Sequence, residues 1–514
     1  MQDTTLPVTE QKPRFPRSIP YIIGNEAAER FSFYGMRSIL VTFLAAEFYS
    51  KTMSASDAAA KANASTHFFV ALAYTMPFIG GLVADWFTGK YKIILYISMV
   101  YCVGHLCLAV FDTNLSGFTT GLVIIAIGAG GIKSCVSANV GDQFDASNSS
   151  LLSKVYGWFY FSINAGSMVS TMLIPWVYKY HGAKWAFGIP GILMAIATVI
   201  FFSGRKKYVR VPPSGVNKNN FVFISIYALF NIGKKEKGQS LLDVAKGKFD
   251  PEKVEGIKAV WRVLAVFAFI PIFWAMWDQS ESEWVQQAES CYRTMHIPGW
   301  LYHFLHDGFL NRIFNLKSDM VTILPGQIQT VNPVFLLIFI PVFTVFIYPF
   351  FDKIGIKTTP LRRIGAGLFT TGASFVIIAF IQQSIDAGGH PSFWWQVLAF
   401  IILSAGEVMV SITGLEYAYT QAPISMKGTM SAIWLLTVAA GNLFVGFVND
   451  SKAHHGIFKD LIGASYFWFF IELIAGFLIV YMFVSPRLKE RNYITDPDII
   501  LATDIEAAGA TPEK

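Results

Sequence analysis

Residues 19–48 read IPYIIGNEAAERFSFYGMRSILVTFLAAEF, an apolar run long enough to cross a bilayer with tilt. Glu26, Glu29, Arg30 and Arg37 stand inside it. A charge at the bilayer centre costs about 3 kcal/mol on insertion scales, so four on one span would cost of order 10 kcal/mol uncompensated. The helix must therefore face a protein interior or a water-filled path. Glu26, Arg30 and Arg37 recur at i, i+4 and i+11, which keeps them near one face, with Tyr34 on the same side. Glu26 can pair with Arg30 one turn on, and Glu29 needs a cation from another helix.

The rest of the chain agrees with a membrane setting. Of 514 residues, 54% are hydrophobic and 14% charged, too apolar for a soluble protein of this size. The net charge of +6 does not indicate nucleic acid, because Lys and Arg gather in particular loops. Cys102, Cys107 and Cys135 fall in or beside apolar runs and only Cys291 in an exterior loop, so no disulfide framework is expected. The polar segment before Ile19 has no small-residue cleavage site, and the first span is expected to act as an uncleaved anchor.

Hydropathy predicts twelve spans, near 19–48, 66–87, 92–113, 117–140, 152–176, 185–203, 259–284, 327–351, 360–383, 394–420, 427–449 and 463–485. Basic residues collect after spans 2, 6, 8 and 12: Lys90 and Lys92; Arg205 to Arg210 with Lys234, Lys235 and Lys237; Lys353 to Arg363; Arg487 to Arg491. The loops after spans 3 and 9 hold no Lys or Arg. The positive-inside rule then puts both termini in the cytoplasm. The expected organisation is a cytoplasmic segment (1–18), a six-helix bundle (19–203), a cytoplasmic linker (204–258), a second six-helix bundle (259–486) and a tail (487–514). A weak repeat supports two related halves: Asp85 to Lys90 and Asp352 to Gly355 each place an acid, a turn glycine and a cation in the corresponding loop. Asn220 to Ile232 is apolar but too short to span, which suits a helix lying on the membrane surface or against the bundle. The long exterior loop, about 285–326, contains Trp300, Phe304 and Phe309 and is expected to hold a short amphipathic helix.

Enzyme motifs are absent: there is no phosphate-binding loop and no metal-ligand spacing. The glycines at 128, 130 and 131 suit close helix packing. Lys133 beside them lies mid-span and calls for a partner, with Glu29 or Glu26 the natural candidates. His67, placed near the exterior start of span 2, is either a satisfied polar residue or a proton-responsive group. Asp278, late in span 7, could pair with Arg37 and form an exterior gate between the halves. Glu407, mid-span 10, is a strong functional signal, whereas Glu416 reads as structural. Tyr34, Tyr74, Tyr160, Trp274 and Trp434 would individually be core, and Asn164 and Asn332 are polar within the membrane.

These residues stand in recognisable strings. Glu26 to Phe31 matches the ExxERF motif of the proton-coupled oligopeptide transporter family. Gly130 to Lys133 with Gly141 to Phe144, Phe159 to Ser167, Gln329 to Pro333, and Gly406-Glu407 with Gly414 to Glu416 resemble its further signatures. Ser134 and Phe33 depart from its usual proline and tyrosine without changing a charge. The two extra helices of many bacterial members and the large exterior domain of animal members are absent.

The resemblance implies an all-α membrane protein of the major facilitator fold, with 12 transmembrane helices in two six-helix bundles. It implies a plasma (bacterial inner) membrane symporter that imports di- and tripeptides with protons, without other cofactors or nucleic acid. By the same resemblance Glu26, Glu29, Arg30, Lys133 and His67 would carry proton coupling. Tyr34, Arg37, Tyr74, Lys133, Tyr160, Asn164, Trp274, Asn332, Glu407, Ser411 and Trp434 would form the substrate site, with Arg37 and Lys133 on the peptide carboxylate and Glu407 with the asparagines on its amino end. Arg37 and Asp278 would gate the exterior. The alternatives are a major facilitator carrier of another solute, such as nitrate, a drug or an amino acid, and a membrane-embedded enzyme or receptor.

Overall fold

A computed structural model describes residues 14–145, 148–216, 220–306, 318–421 and 427–488. The first half is built from α1 (Ile19–Phe43), α2 (Ala55–Val83), α3 (Lys90–Val110), α4 (Leu115–Gly141), α5 (Leu152–His181) and α6 (Ala183–Ser203). A linker carries α7 (Phe221–Phe230) and a 3-10 turn, Leu241–Gly247. The second half begins with a broken helix: α8 (Pro251–Phe267), α9 (Ile270–Trp277), a 3-10 turn at Asp278–Glu281 and α10 (Glu283–Glu289). After a long loop come α12 (Val331–Val342), α13 (Tyr348–Lys353), α14 (Pro360–Asp386), α15 (Trp394–Glu407), α16 (Thr413–Gln421), α17 (Lys427–Ala453) and α18 (Ala464–Val484).

Among the described residues nine helices are long and apolar enough to cross a membrane, ten if the bent α8–α10 rod is one span. Helices α1 and α5 have the length for a crossing but carry more polar side chains. Each half owns a hydrophobic core. One runs from Ile19 to Tyr208, joined by Val285 of α10, and the other from Ile224 to Tyr481. The halves meet where α2 lies along α17, α1 reaches α10, and α5 packs on α12 and the 3-10 turn before it.

Two predicted boundaries are corrected. Helix α2 starts at Ala55, well before 66, because Ser54 caps it by accepting from the Asp57 amide at 3.2 Å and the Ala-rich first turns extend it. His67 therefore lies three turns inside the helix and is fully buried, not at its start. Span 7 is not straight. Its axis turns by 47° at residues 268–269, next to Pro271, which has no amide hydrogen to give the preceding turn. The rod then runs on to Glu289, so Asp278 sits inside it rather than near its end.

The loops follow their local chemistry. Gly89 and Gly355, the turn glycines of the two Asp-containing loops, both adopt positive φ, at 77° and 90°. Lys90 binds Asp142 at 2.8 Å, and Asp352 accepts from the Thr358 amide at 2.7 Å. In the long loop after α10, β1 (Thr294–His296) pairs antiparallel with β2 (Met320–Thr322), and the expected short helix is α11 (Gly299–His306). Phe309, the first residues of the N-terminal segment and the tail after 488 lie outside the described residues. The four cysteines are free.

The linker is pinned to α8 by four charges. Lys246 and Lys258 each contact both Asp243 and Glu255, at 2.5 to 2.9 Å. Hydrogen bonds from Lys258 and Lys246 hold the Asp243 carboxyl well below the usual carboxylate range. A depressed carboxylate contributes its stability above the unfolded value, so this clamp persists to strongly acid pH and is lost only below it.

Helices α2 and α4 cross closely, and a Cβ on Gly80 would stand 2.7 Å from the Gly131 Cα. Gly81 next to it meets nothing nearer than the Ser134 hydroxyl at 3.7 Å. Gly80→Ala is expected to destabilise the purified protein by about 1–3 kcal/mol, as overpacked cores do, and Gly81→Ala by much less. Thermal unfolding in detergent reads this, and equal midpoints for the two variants would refute the close crossing.

Candidate functional site

The buried charges of α1 divide into two groups. Toward its N-terminal part, Arg30 Nε contacts Glu26 Oε1 at 2.6 Å and Glu29 Oε2 at 3.1 Å. Two turns on, Arg37 is 1% exposed and reaches across to the second half. Its Nη2 meets Asp278 Oδ1 at 2.5 Å and its Nε meets Glu281 Oε2 at 2.8 Å. The i, i+4 pair and the Arg37–Asp278 pair are both where the sequence suggests them; Glu281 is an addition.

Lys133 stands apart from the expected pairing. Its ammonium lies over the rings of Phe33, at 3.6 Å, and Tyr74, at 4.0 Å. It makes no hydrogen bond among the described residues, and no carboxylate comes within ion-pair distance of it. The predicted contact with Glu29 or Glu26 is thus replaced by aromatic faces. Both Glu29 oxygens are buried and make no hydrogen bond, Oε2 keeping the ion-pair contact with Arg30 at 3.1 Å. Lys133 and Glu29 thus stand on facing helices without an ion pair between them among the described residues.

His67 joins the Arg37 network. Its Nδ1 is 2.8 Å from Asn442 Oδ1 on α17, and its Nε2 is 2.8 Å from Ser282 Oγ and 3.3 Å from Glu283 Oε2. Asn442 Nδ2 in turn donates to Asp278 Oδ2 at 2.5 Å. Glu283 Oε1 accepts from Asn449 Nδ2 and the Tyr466 hydroxyl, both at 2.6 Å. Further out, Asn63 donates to Gln286 at 2.8 Å and Lys61 pairs with Asp450 at 2.6 Å. A continuous polar seam therefore ties α1 and α2 to the 3-10 turn Asp278–Glu281, α10 and α17.

Beneath this seam is a cavity of about 150 Å³. Tyr34 of α1 and Tyr160 and Asn164 of α5 line it from the first half. Trp277, Glu281, Gln329, Asn332 and Glu407 line it from the second. Glu407 Oε2 accepts from Trp277 Nε1 at 2.8 Å and from Asn332 Nδ2 at 2.7 Å. Asn332 also donates to Ser404 at 3.1 Å. Five expected substrate residues, Tyr34, Tyr160, Asn164, Asn332 and Glu407, thus share one cavity.

The other six do not line it. Arg37 is held by its two carboxylates, and Tyr74 by Lys133. Trp274 and Trp434 lie edge to face, 6.1 Å apart, in the wall behind Trp277. Ser411 sits in a π-helical turn, Val408–Ile412, with its hydroxyl buried and unbonded. Trp277, Glu281 and Gln329 were missed from sequence, as were Glu283, Asn442 and Asn449. Glu416 takes the structural role expected of it, 3.4 Å from Arg363.

A sequence model described as the POT family matches residues 91–307 and 308–459. The chain is 33% identical over 422 residues to solute carrier family 15 member 2 of Mus musculus, covering 78% of this chain and 54% of that one. It is 35% identical over 397 residues to peptide transporter family 1 of Drosophila melanogaster, covering 73% and 49%. The chain spans about half the length of these curated relatives. Its fold is also similar to the crystal structure of an auto-inhibited POT family peptide transporter. There the TM-score is 0.81 at 34% identity, over 94% of this chain and 99% of that one. All three relatives are transporters.

The Arg37 cluster makes an unequal pair of variants. Removing Arg37 strands two buried carboxylates, whereas removing Asp278 leaves Arg37 with Glu281. Arg37→Ala is expected to cost about 3–5 kcal/mol, and Asp278→Ala roughly half of that. Thermal unfolding of the two purified variants decides it; an equal or reversed order would refute the shared guanidinium.

Proposed function

The chain belongs to the POT family, and on that premise we propose that it is a proton-coupled symporter importing di- and tripeptides by alternating access. The observation that carries this reading is Glu407, a carboxylate fixed by Asn332 and Trp277 in a cavity that both halves line. A peptide ammonium is a natural partner for it. The peptide carboxylate, at the other end of the same molecule, needs a cation, and Lys133 is the buried one without hydrogen bonds. Tyr34 and Tyr160 offer aromatic faces that accept many side chains without requiring one.

In this reading the Glu29 carboxylate and the peptide carboxylate compete for one cation, Lys133. With Glu29 ionised, Lys133 is drawn toward it across the space between α1 and α4. A proton on Glu29 removes that attraction, and Lys133 is free for the peptide carboxylate. Arg30 keeps Glu26 in place meanwhile. Arg37 then acts as the exterior gate with Asp278 and Glu281, and His67 links that gate to α17. Glu281 belongs both to the gate and to the cavity wall, so a ligand that approaches it loosens the hold on Arg37. Opening the seam and rocking one half against the other moves the site from one side of the membrane to the other.

We assign twelve spans, with α1 and α5 the two whose polar faces look into the protein rather than the lipid. The two halves are residues 19–203 and 259–486, joined by the linker at 204–258. The chain is placed in the plasma (bacterial inner) membrane with both termini cytoplasmic, in line with the basic loops. Protons are the coupling ion, no other cofactor takes part, and the protein is a carrier rather than an enzyme.

The test is dialanine uptake into proteoliposomes with and without an inward proton gradient. Gradient-dependent accumulation is expected, competed by dipeptides and tripeptides and not by free alanine. Glu29→Gln is expected to lose accumulation and keep peptide exchange. Glu407→Gln is expected to raise the half-saturating concentration about tenfold, the value of one hydrogen-bonded charge. Full accumulation by Glu29→Gln would overturn the coupling, and unchanged affinity in Glu407→Gln would overturn the peptide site.

A further inference from the structure

Helix α7 hides one face and shows the other. Ile224 and Ala228, one turn apart, are fully buried in the second half's core. On that inner side Trp261 Nε1 donates to Ser225 Oγ at 3.2 Å. The outer face is Phe223, Ile226, Leu229 and Phe230, all exposed, with Phe230 at 84%. Only Ser225 and Tyr227 bring polar side-chain atoms to the helix. Such a stripe is unfavourable in water, and contiguous apolar surface of this kind marks an interaction site.

Three observations identify what covers it. Helix α7 lies on the segment that joins the ends of two membrane helices, α6 and α8, and is itself too short to cross. It is flanked by tryptophans from both halves: Trp86 stacks on Phe223 with ring centroids 6.4 Å apart, and Trp261 is on the other side. Tryptophans of this kind concentrate at the level of lipid headgroups. Immediately after the helix come Lys234, Lys235 and Lys237, exposed and without an ion-pair partner among the described residues. The intervening Glu236 is engaged by Gln239 at 2.8 Å. The four-charge clamp on α8 fixes the turn that follows, so the helix has a set position relative to the second half.

We propose that α7 is an in-plane anchor. Its outer face enters the boundary between headgroups and acyl chains, and the three lysines after it hold the phosphates of anionic phospholipids. Because Trp86 belongs to the first half and Trp261 to the second, the anchor fixes to the bilayer the one covalent connection between the two halves. Lipid composition thereby acts on the linker, not on the cavity.

The experiment places a photoreactive benzoyl-phenylalanine at Phe230 in the full chain. The protein is reconstituted in phosphatidylcholine vesicles containing a minority of phosphatidylglycerol. The same probe at Val480, a lipid-facing residue of α18, reports the bulk lipid ratio. Mass spectrometry of the adducts at Phe230 is expected to find lipid, with phosphatidylglycerol enriched about threefold or more over the Val480 adducts. Lys234→Gln, Lys235→Gln and Lys237→Gln together are expected to return that ratio to the bulk value. If the Phe230 replacement does not fold, the probe at Ile226 gives the same reading. Adducts to protein, a second copy included, or no adduct would overturn the anchor. Lipid adducts at the bulk ratio in the parent protein would overturn the headgroup site.

Discussion

The guanidinium of Arg37 has no water to turn to, and the carboxylates that neutralise it come from a segment 241 residues further along the chain and just beyond. This one constraint organises the part of the molecule around it. An arginine buried without partners would cost several kcal/mol, so α1 can sit where it does only if Asp278 and Glu281 arrive beside it. They arrive because the α8–α10 rod is broken by 47° and then tightens into a 3-10 turn that presents both acids to the same side. Once they are there, Asn442, His67, Ser282 and Glu283 have defined partners, and α2 and α17 are drawn into the seam. Such a pair is a better switch than a glue. Its net contribution is small because desolvation offsets attraction, yet separating the partners without replacement charges is costly.

Glu281 brings the Arg37 cluster up to the cavity, since it both pairs with Arg37 and lines the cavity wall. The second charge group on α1 is two turns away and does not share a partner with the first. It instead faces Lys133, whose ammonium is stabilised by the Phe33 and Tyr74 rings rather than by a carboxylate. A cation over aromatic faces is held less tightly than one in a buried ion pair, and it can be recruited by an anion without first breaking a salt bridge. The two groups thus differ in kind: the Arg37 cluster pairs its cation with carboxylates of the other half, whereas Lys133 rests on aromatic rings.

Much of this was legible from α1, because a charge inside a membrane span has few explanations. The same rule located Lys133, Asp278 and Glu407. It applied equally to Glu283, Asn442 and Asn449, and those signals were passed over although they stand within apolar helices. What the sequence does not carry is azimuth and local geometry. Depth along a helix suggested that Lys133 could meet Glu29, but its rotamer is decided by the rings beside it. Hydropathy marks where a helix enters the bilayer and is blind to the turns outside, which is why α2 began too late and His67 was placed too shallow. Trp274 is expected at the site by the resemblance, but it is Trp277, three residues on, that reaches Glu407.

The cavity is asymmetric in a way that bears on how it works. Tyr34, Tyr160 and Asn164 project from regular helices of the first half. The residues from the second half stand at departures from α-helical geometry. Glu281 lies in a 3-10 turn, Asn332 follows the 3-10 turn Pro325–Thr330, and Glu407 immediately precedes the π-helical turn Val408–Ile412. Irregular backbone inside a bilayer is tolerated only where protein or a water-filled space can satisfy the groups it frees. The side-chain hydrogen bonds of Glu407 to Trp277 and Asn332 tie three such irregular places to one another. A helix that is already interrupted bends at lower cost than a continuous one. The first half therefore supplies a wall of continuous helices to the cavity, and the second supplies the interruptions, with Glu407 hydrogen-bonded across them.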